Sequence, residues 1–164
     1  MRVFGVTGWK DSGKTGLMER LVAEFRSRGV AVSTLKHAHH GFDVDREGKD
    51  SRRHRDAGAH QVLLSSRRRW ALMTELDGAP EPALDDLVAM LAPVDLVLIE
   101  GWKRDRHPKV EAWREATGRP PIAPGDATIR AVAAKGNPGI GDRPVLDLDD
   151  TASIADLITA EIGL

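Results

Sequence analysis

Eight consecutive residues, Gly8-Trp9-Lys10-Asp11-Ser12-Gly13-Lys14-Thr15, constrain this chain more than any other stretch. They satisfy the spacing G-x-x-x-x-G-K-[ST] at every required position, in which glycines let the backbone curl until successive N–H groups converge on one anion. The curl needs a buried strand running into it and a helix leaving it, because the helix N-terminus completes the anion site. Both are legible in the flanking residues. Arg2 to Thr7 is a short β-branched run, and Met18, Leu21, Val22 and Phe25 recur at i, i+3, i+4, i+7, one face of a helix. Gly29 stands where a helix-ending glycine belongs, and Val30 to Leu35 reads as a second buried strand, so residues 2–35 form a βαβ unit.

Apolar periodicity extends the alternation. A polar segment from Lys36 to Ser51 precedes a short helix ending near Gly58, and Gln61 to Ser65 and Trp70 to Thr74 form a hairpin joined by basic residues. Leu84, Leu87, Val88 and Leu91 mark a further helix closed by Pro93. Asp95 to Ile99 is the most strand-like run, ending at Glu100-Gly101. Lys109 to Trp113, Ile129 to Ala133 and Val145 to Leu148 are further strands, Glu115 to Ala127 is a Pro- and Gly-containing loop, and Ile154, Leu157, Ile158 and Ile162 mark a terminal helix. The expected class is α/β: a mainly parallel sheet with helices on both faces, of the P-loop NTPase type, carrying a β-hairpin insertion. At 164 residues the expectation is one nucleotide-binding domain over 1–164.

Composition narrows the function. With 24 Lys and Arg against 25 Asp and Glu, the net charge of -1 supplies no global field for nucleic acid or an anionic membrane surface, so anion binding has to be local. The 4% aromatic content leaves the arginines without a stacking motif, which argues further against nucleic acid. The sequence contains no cysteine, which excludes disulfides, thiolate metal sites and a cysteine nucleophile. Its longest apolar runs fall well short of a membrane span, and MRVFGVTGWK has no signal-peptide core, so the expected location is the cytoplasm.

The loop assigns roles. Gly8, Lys10, Asp11, Ser12, Gly13, Lys14, Thr15 and Gly16 are the candidate nucleotide contacts, with Lys14 reaching the β and γ phosphates and the Thr15 hydroxyl ligating Mg²⁺. Magnesium needs a carboxylate at the end of a neighbouring buried strand. Glu100 lies at the carboxyl end of its strand and Asp95 at the opposite end, so Glu100 is chosen. Asp43 and Asp45 stand in a loop suited to sensing the γ-phosphate and metal. The catalytic candidates are therefore Glu100 and Asp43, and the metal candidates Thr15, Glu100 and Asp45. Lys49 and Arg53 are placed to neutralise a substrate phosphate. Lys36-His37-Ala38-His39-His40 invites a metal reading, but the run has no clearly spaced fourth partner, His107 being one candidate, and no thiolate is present, so a polar ligand- or subunit-facing loop is preferred. Arg67 to Arg69 read as a solvated face. Trp9 is placed to shield the site, whereas Trp70, Trp102 and Trp113 read as core or interface residues.

Taken together, Val6 to Thr15, Lys36 to His40, Asp43 with Asp45, Gly48-Lys49-Asp50-Ser51 with Arg53-His54 and Ala57-Gly58-Ala59, Glu100-Gly101-Trp102-Lys103, and His107-Pro108-Lys109-Val110-Glu111 resemble the molybdopterin-guanine dinucleotide biosynthesis protein B family. The resemblance implies a homodimeric GTP- and Mg²⁺-binding accessory protein with weak hydrolysis, acting beside the molybdopterin guanylyltransferase, with molybdopterin as a candidate ligand. It spans residues 6 to about 111. Where the family tends to carry a Thr-Asp pair after the late strand, this chain reads Ala133-Ala134-Lys135-Gly136-Asn137, and no N-K-x-D motif occurs. A small-molecule P-loop kinase is the alternative, with Arg67 to Arg69 as part of a lid. A third reading is an interaction module that binds no nucleotide.

Overall fold

The main sheet is built from strands buried on both faces, and their sequences show why. In the computed structural model, which describes residues 1–38 and 41–164, these elements occur in chain order: β1 (Arg2–Thr7), α1 (Lys14–Ser27), β2 (Val32–Lys36), α2 (Asp50–Asp56), β3 (Gln61–Ser65), β4 (Trp70–Thr74), α3 (Leu84–Ala89), β5 (Leu96–Glu100), β6 (Lys109–Arg114), β7 (Ile129–Lys135), β8 (Val145–Asp147) and α4 (Thr151–Ile162). Leu96, Val97, Leu98 and Ile99 of β5 are all fully buried, the unbroken apolar run of a strand covered on both sides. The strands lie in the order β2-β5-β1-β6-β7-β8, and every neighbouring pair is parallel. β3 and β4 pair antiparallel as a separate hairpin, from Gln61 opposite Thr74 to Ser65 opposite Trp70.

The chain divides into two compact units, one of Met1–His37 with Val88–Leu164 and the other of Ala38–Leu87. The first holds the parallel sheet, and the second holds α2 and the hairpin. On one face of the sheet, Leu17, Met18, Leu21 and Phe25 of α1 and Ile154, Ala155 and Ile158 of α4 pack in one cluster with residues including Phe4, Val6, Leu98 and Val110. α4 starts where the Asp150 carboxylate accepts the Ser153 N–H at 3.1 Å, satisfying a donor that the first turn leaves without a helical partner. On the other face Trp113, Ala123, Ile129, Val132 and Ala134 form a smaller cluster. Its cover includes the 3-10 turn Ala123–Gly125, which follows another at Glu115–Thr117 within the segment read as loop.

β6 departs from an ordinary buried strand by burying charge. Lys109 and Glu111 are both fully buried. The Lys109 ammonium donates to the carbonyls of Asp105 and His107 and to Thr128 Oγ1, and the Glu111 carboxylate accepts the N–H groups of Ile122 and Ala123 at 2.8–2.9 Å. Buried ionic groups persist only when their bonding capacity is met in this way. Burial nevertheless pulls the Lys109 ammonium below its ordinary range and pushes the Glu111 carboxyl above its own. Beside them the His107 ring covers Gly5, where a Cβ would come within 2.5 Å of its Nε2. Both ring nitrogens are buried without a hydrogen-bond partner.

This packing makes stability depend on pH. Burial, reinforced by the Lys109 cation and opposed by Asp105 and Asp126, lowers the His107 imidazole from 6.5 to about 4. Between those values the unfolded chain takes up a proton that the folded chain refuses, so this contribution is intact above about pH 6.5 and is lost as pH falls toward 4. Urea unfolding of the wild type and of His107→Leu across pH 4 to 7.5 checks the assignment. The wild type should lose stability more steeply below about pH 6.5, and equal slopes would remove His107 as the cause.

Candidate functional site

The phosphate loop occupies the carboxyl edge of the sheet, where ligand sites of parallel α/β sheets lie. β1 delivers the chain to Gly8, and α1 starts at Lys14. Gly8 and Gly13 take φ of 144° and 95°, and the intervening Asp11 is also left-handed at 63°. The glycines meet a second demand. A Cβ on Gly8 would collide with the backbone carbonyl of Ala112 on β6 and come within 2.6 Å of Ser12 Oγ. One on Gly13 would lie 2.9 Å from Arg114 Nε. The loop can therefore curl and pack against β6 only with hydrogen in place of a side chain at both positions. Lys14 folds back over the curl, its ammonium donating to the Trp9 carbonyl at 2.6 Å. Burial, then Lys103, pulls Lys14 below its ordinary range, while Glu100 and Asp11 oppose the shift.

At the α1 end of the loop, Thr15 Oγ1 donates to Glu100 Oε1 at 3.1 Å, and Lys36 Nζ stands 3.5 Å from the same oxygen. β1 and β5 create this meeting because their parallel register sets Val6 beside Glu100. The donors suit a hard divalent cation: one hydroxyl and one carboxylate, both oxygen, beside a loop of converging N–H groups. Ser12 Oγ and Thr7 Oγ1 are buried without a hydrogen-bond partner, so polar capacity at the loop remains unspent. The residues fit a magnesium nucleotide. An open cavity of about 450 Å³ adjoins them, lined by Thr15, Met18, Val22, Leu35, Lys36 and Glu100.

The other predicted residues lie in the second unit. Asp43 accepts from Arg55 and Arg52, each at 2.8 Å, and these bonds, Arg55 first, hold its carboxyl below the usual range. The Asp45 side chain is 3% exposed and lies 3.2 Å from Arg55, whose other arm donates to Glu75 at 2.9 Å. Both aspartates are thus paired with cations of their own unit. Lys49 is the N-cap residue of α2, and Arg53 is 76% exposed with its nearest carboxylate, Asp50, at 3.9 Å. Of the histidine run, His37 tilts against Trp102 with ring centroids 4.8 Å apart, whereas His39 and His40 lie outside the described residues. No group of three His, Cys, Asp or Glu that could hold a metal occurs among the described residues. The sequence reading missed Lys36 beside Glu100 and the charged fittings around Trp9. Nothing in the sequence marks Arg55, which pairs with Asp43, Asp45 and Glu75, as a hub.

At the late strands, Lys135 donates to Asp149 at 2.6 Å and stands 3.7 Å from Asp147, while Asn137 Oδ1 accepts the Gly139 N–H at 2.9 Å. The segment that replaces the expected Thr-Asp pair is therefore closed by its own ion pair and turn.

The six-stranded parallel sheet, its helices and the loop at its carboxyl edge define a P-loop NTPase-type α/β protein. The chain belongs to the molybdopterin guanine dinucleotide synthesis protein B (MobB) family, whose model matches residues 3–135. The molybdopterin-guanine dinucleotide biosynthesis adapter protein of Haemophilus influenzae is 41% identical over 159 residues, covering 95% of this chain and 86% of that protein. Its namesake in Escherichia coli is 37% identical over 153 residues, covering 92% and 87%. The crystal structure of a MobB homolog from Bacillus stearothermophilus matches with a TM-score of 0.72 at 32% identity, covering 99% of both chains. That of Bacillus subtilis MobB matches with a TM-score of 0.78 at 23% identity over 99% of this chain and 98% of the other, a likeness of fold.

Gly13→Ala tests the loop geometry directly. A left-handed alanine pressed toward Arg114 should destabilise the fold by about 1–3 kcal/mol, read as a lower denaturant midpoint with an unchanged slope. An unchanged midpoint would mean that the backbone at Gly13 is not held left-handed.

Proposed function

We propose that this chain is an accessory protein of molybdenum cofactor maturation that binds GTP with Mg²⁺ at the phosphate loop, hydrolyses it slowly and assists the molybdopterin guanylyltransferase. One observation carries the nucleotide half: the Gly8–Thr15 curl ends where the Thr15 hydroxyl meets the Glu100 carboxylate. Membership of the MobB family and the adapter names of the relatives support the pathway half. The guanine preference rests on family resemblance.

Each residue then has a physical task. The loop N–H groups and the α1 N-terminus hold phosphate oxygens, and Lys14 exchanges its bond to the Trp9 carbonyl for charge-assisted bonds to phosphate. Thr15 and Glu100 would hold magnesium, which when bound supplies charge neutralisation at the phosphates. Lys36, 3.5 Å from Glu100 Oε1, orients that carboxylate. Asp43 is proposed as the second catalytic carboxylate and Asp45 as a metal ligand, each after release from Arg55. Lys49 and Arg53, the latter exposed and only loosely paired with Asp50, are proposed to meet an anionic pterin or the partner enzyme. In this reading the protein is a cytoplasmic homodimer, molybdopterin is a second ligand, and neither nucleic acid nor a membrane is a partner. No helix among the described residues is long and apolar enough to cross a membrane.

Calorimetric titration of the full chain with GTP, with and without magnesium, tests the reading. Lys14→Ala should weaken GTP binding by at least about tenfold, the scale of a charge-assisted phosphate contact, with the fold intact. Glu100→Gln should reduce turnover more than affinity. Equal GTP affinity in Lys14→Ala and the wild type would remove the loop as the site. Appearance of a phosphorylated small molecule in place of orthophosphate would make the chain a kinase.

A further inference from the structure

On the side of the loop next to β6, a cavity of about 490 Å³ is lined by residues including Trp9, Lys10, Asp11, Arg114, Thr117 and Arg119. We propose that this cavity is a second phosphate-binding site, with Arg114 as its anchor and Arg119 as its second arm.

Position comes first. Arg114 is the last residue of β6, the parallel neighbour of β1, so the sheet itself sets it at the carboxyl edge beside the loop. Its guanidinium packs on Gly13, with Nε 2.9 Å and a terminal nitrogen 3.1 Å from where a Cβ would stand. That is the point at which the loop turns into α1.

The charge balance comes second. Among the described residues no hydrogen bond or ion pair takes up the guanidinium of Arg114 or Arg119. Arg20 and Arg143 of the same unit differ: Arg20 is bonded to Thr151 Oγ1 and the Leu148 carbonyl, and Arg143 to Asp142 and the carbonyls of Asp126 and Ile129. Lys10 adds a third cation to the cavity, and Asp11 is its one carboxylate. Lys103 stands 4.6 Å from the Trp9 ring, and Asp149 is near enough to feel the Arg114 charge. Guanidinium forks with unused donors, gathered against one carboxylate, are matched by a tetrahedral dianion that accepts them in pairs.

The walls are held in place. Trp9 Nε1 donates to the Pro120 carbonyl at 2.8 Å, which fixes the indole, and the Arg119 guanidinium carbon lies 5.9 Å from its ring centroid. The Thr117 hydroxyl donates to the Arg114 carbonyl at 2.8 Å and ties the 3-10 turn to the end of β6. The strand end and the turn therefore present the two arginines from fixed anchor points.

The phosphate has two sources, a terminal phosphate of the loop-bound nucleotide or the phosphate ester of a second ligand. The first rests on the nucleotide reading and the second does not. Calorimetric titration of the full chain separates them, using inorganic phosphate with the loop filled by GDP and magnesium, and GTP against GDP without added phosphate. If the source is a second ligand, phosphate binds the GDP-filled wild type and Arg114→Ala weakens it by about tenfold or more, with Arg119→Ala weakening it less. If the source is the nucleotide, Arg114→Ala lowers GTP affinity by about tenfold and GDP affinity by less than about twofold. Arg114→Lys, which keeps the charge and loses the fork, should fall between in either case. The proposal is overturned if phosphate affinity and the GTP-to-GDP ratio are unchanged in Arg114→Ala and in the Arg114→Ala, Arg119→Ala double variant. A wild type that binds no nucleotide would defeat the loop reading alone, since phosphate binding kept by Lys14→Ala and lost by Arg114→Ala would still support the cavity.

Discussion

Everything at the site depends on the parallel pairing of β1 between β5 and β6. Because all three strands point the same way, their carboxyl ends arrive at one edge, and their registers decide what meets there. Val6 beside Glu100 sets a carboxylate next to the start of α1, and Thr7 beside Glu111 carries β6 on to Arg114 against the loop. A one-residue slip would turn every side chain of a strand to the opposite face and carry Glu100 away from Thr15. The packing of the core and the geometry of the loop share this cause. Gly8 is required because the loop runs so close to the Ala112 carbonyl of β6.

Much of this was legible in the chain. β1, β3 and β4 occupy the expected spans, the other strands and the helices fall within a few residues of theirs, and Glu100 stands at the loop as its place at a strand end required. These elements are legible because periodicity and loop spacing are local. β6 was harder to read: Lys-Val-Glu-Ala-Trp has the alternation of a half-exposed strand, yet Lys109 and Glu111 are fully buried. Their bonding partners include Ile122 and Ala123, in the segment read only as loop, and Thr128 just past it, all eleven or more residues onward. Asp43 and Asp45 were read for their chemistry alone, but Arg55 of α2 reaches both from further along the chain. Ion pairing depends on which side chains the fold brings together, and no spacing rule in the sequence reports that.

The two units treat charge in opposite ways, and the contrast indicates where an anion can bind. In the second unit Arg52 and Arg55 are matched against Asp43, Asp45, Asp56 and Glu75 at 2.8–3.2 Å, so the positive charge of these two arginines is already spent within the protein. At the loop edge of the first unit, Lys10, Lys14, Lys103, Arg114 and Arg119 face Asp11 and a Glu100 already shared by Thr15 and Lys36. Burial pulls Lys14 below its ordinary range, and Lys103 and Lys36 add to that pull while Glu100 and Asp11 oppose it. With a whole-chain net charge of -1, the surplus is a local construction. A group of cations held this close by a rigid sheet edge costs the folded protein stability in isolation, and the cost falls when an anion of two or more charges settles among them. The same packing that curls the backbone of Gly8 to Thr15 therefore also sets the charge of what it can hold.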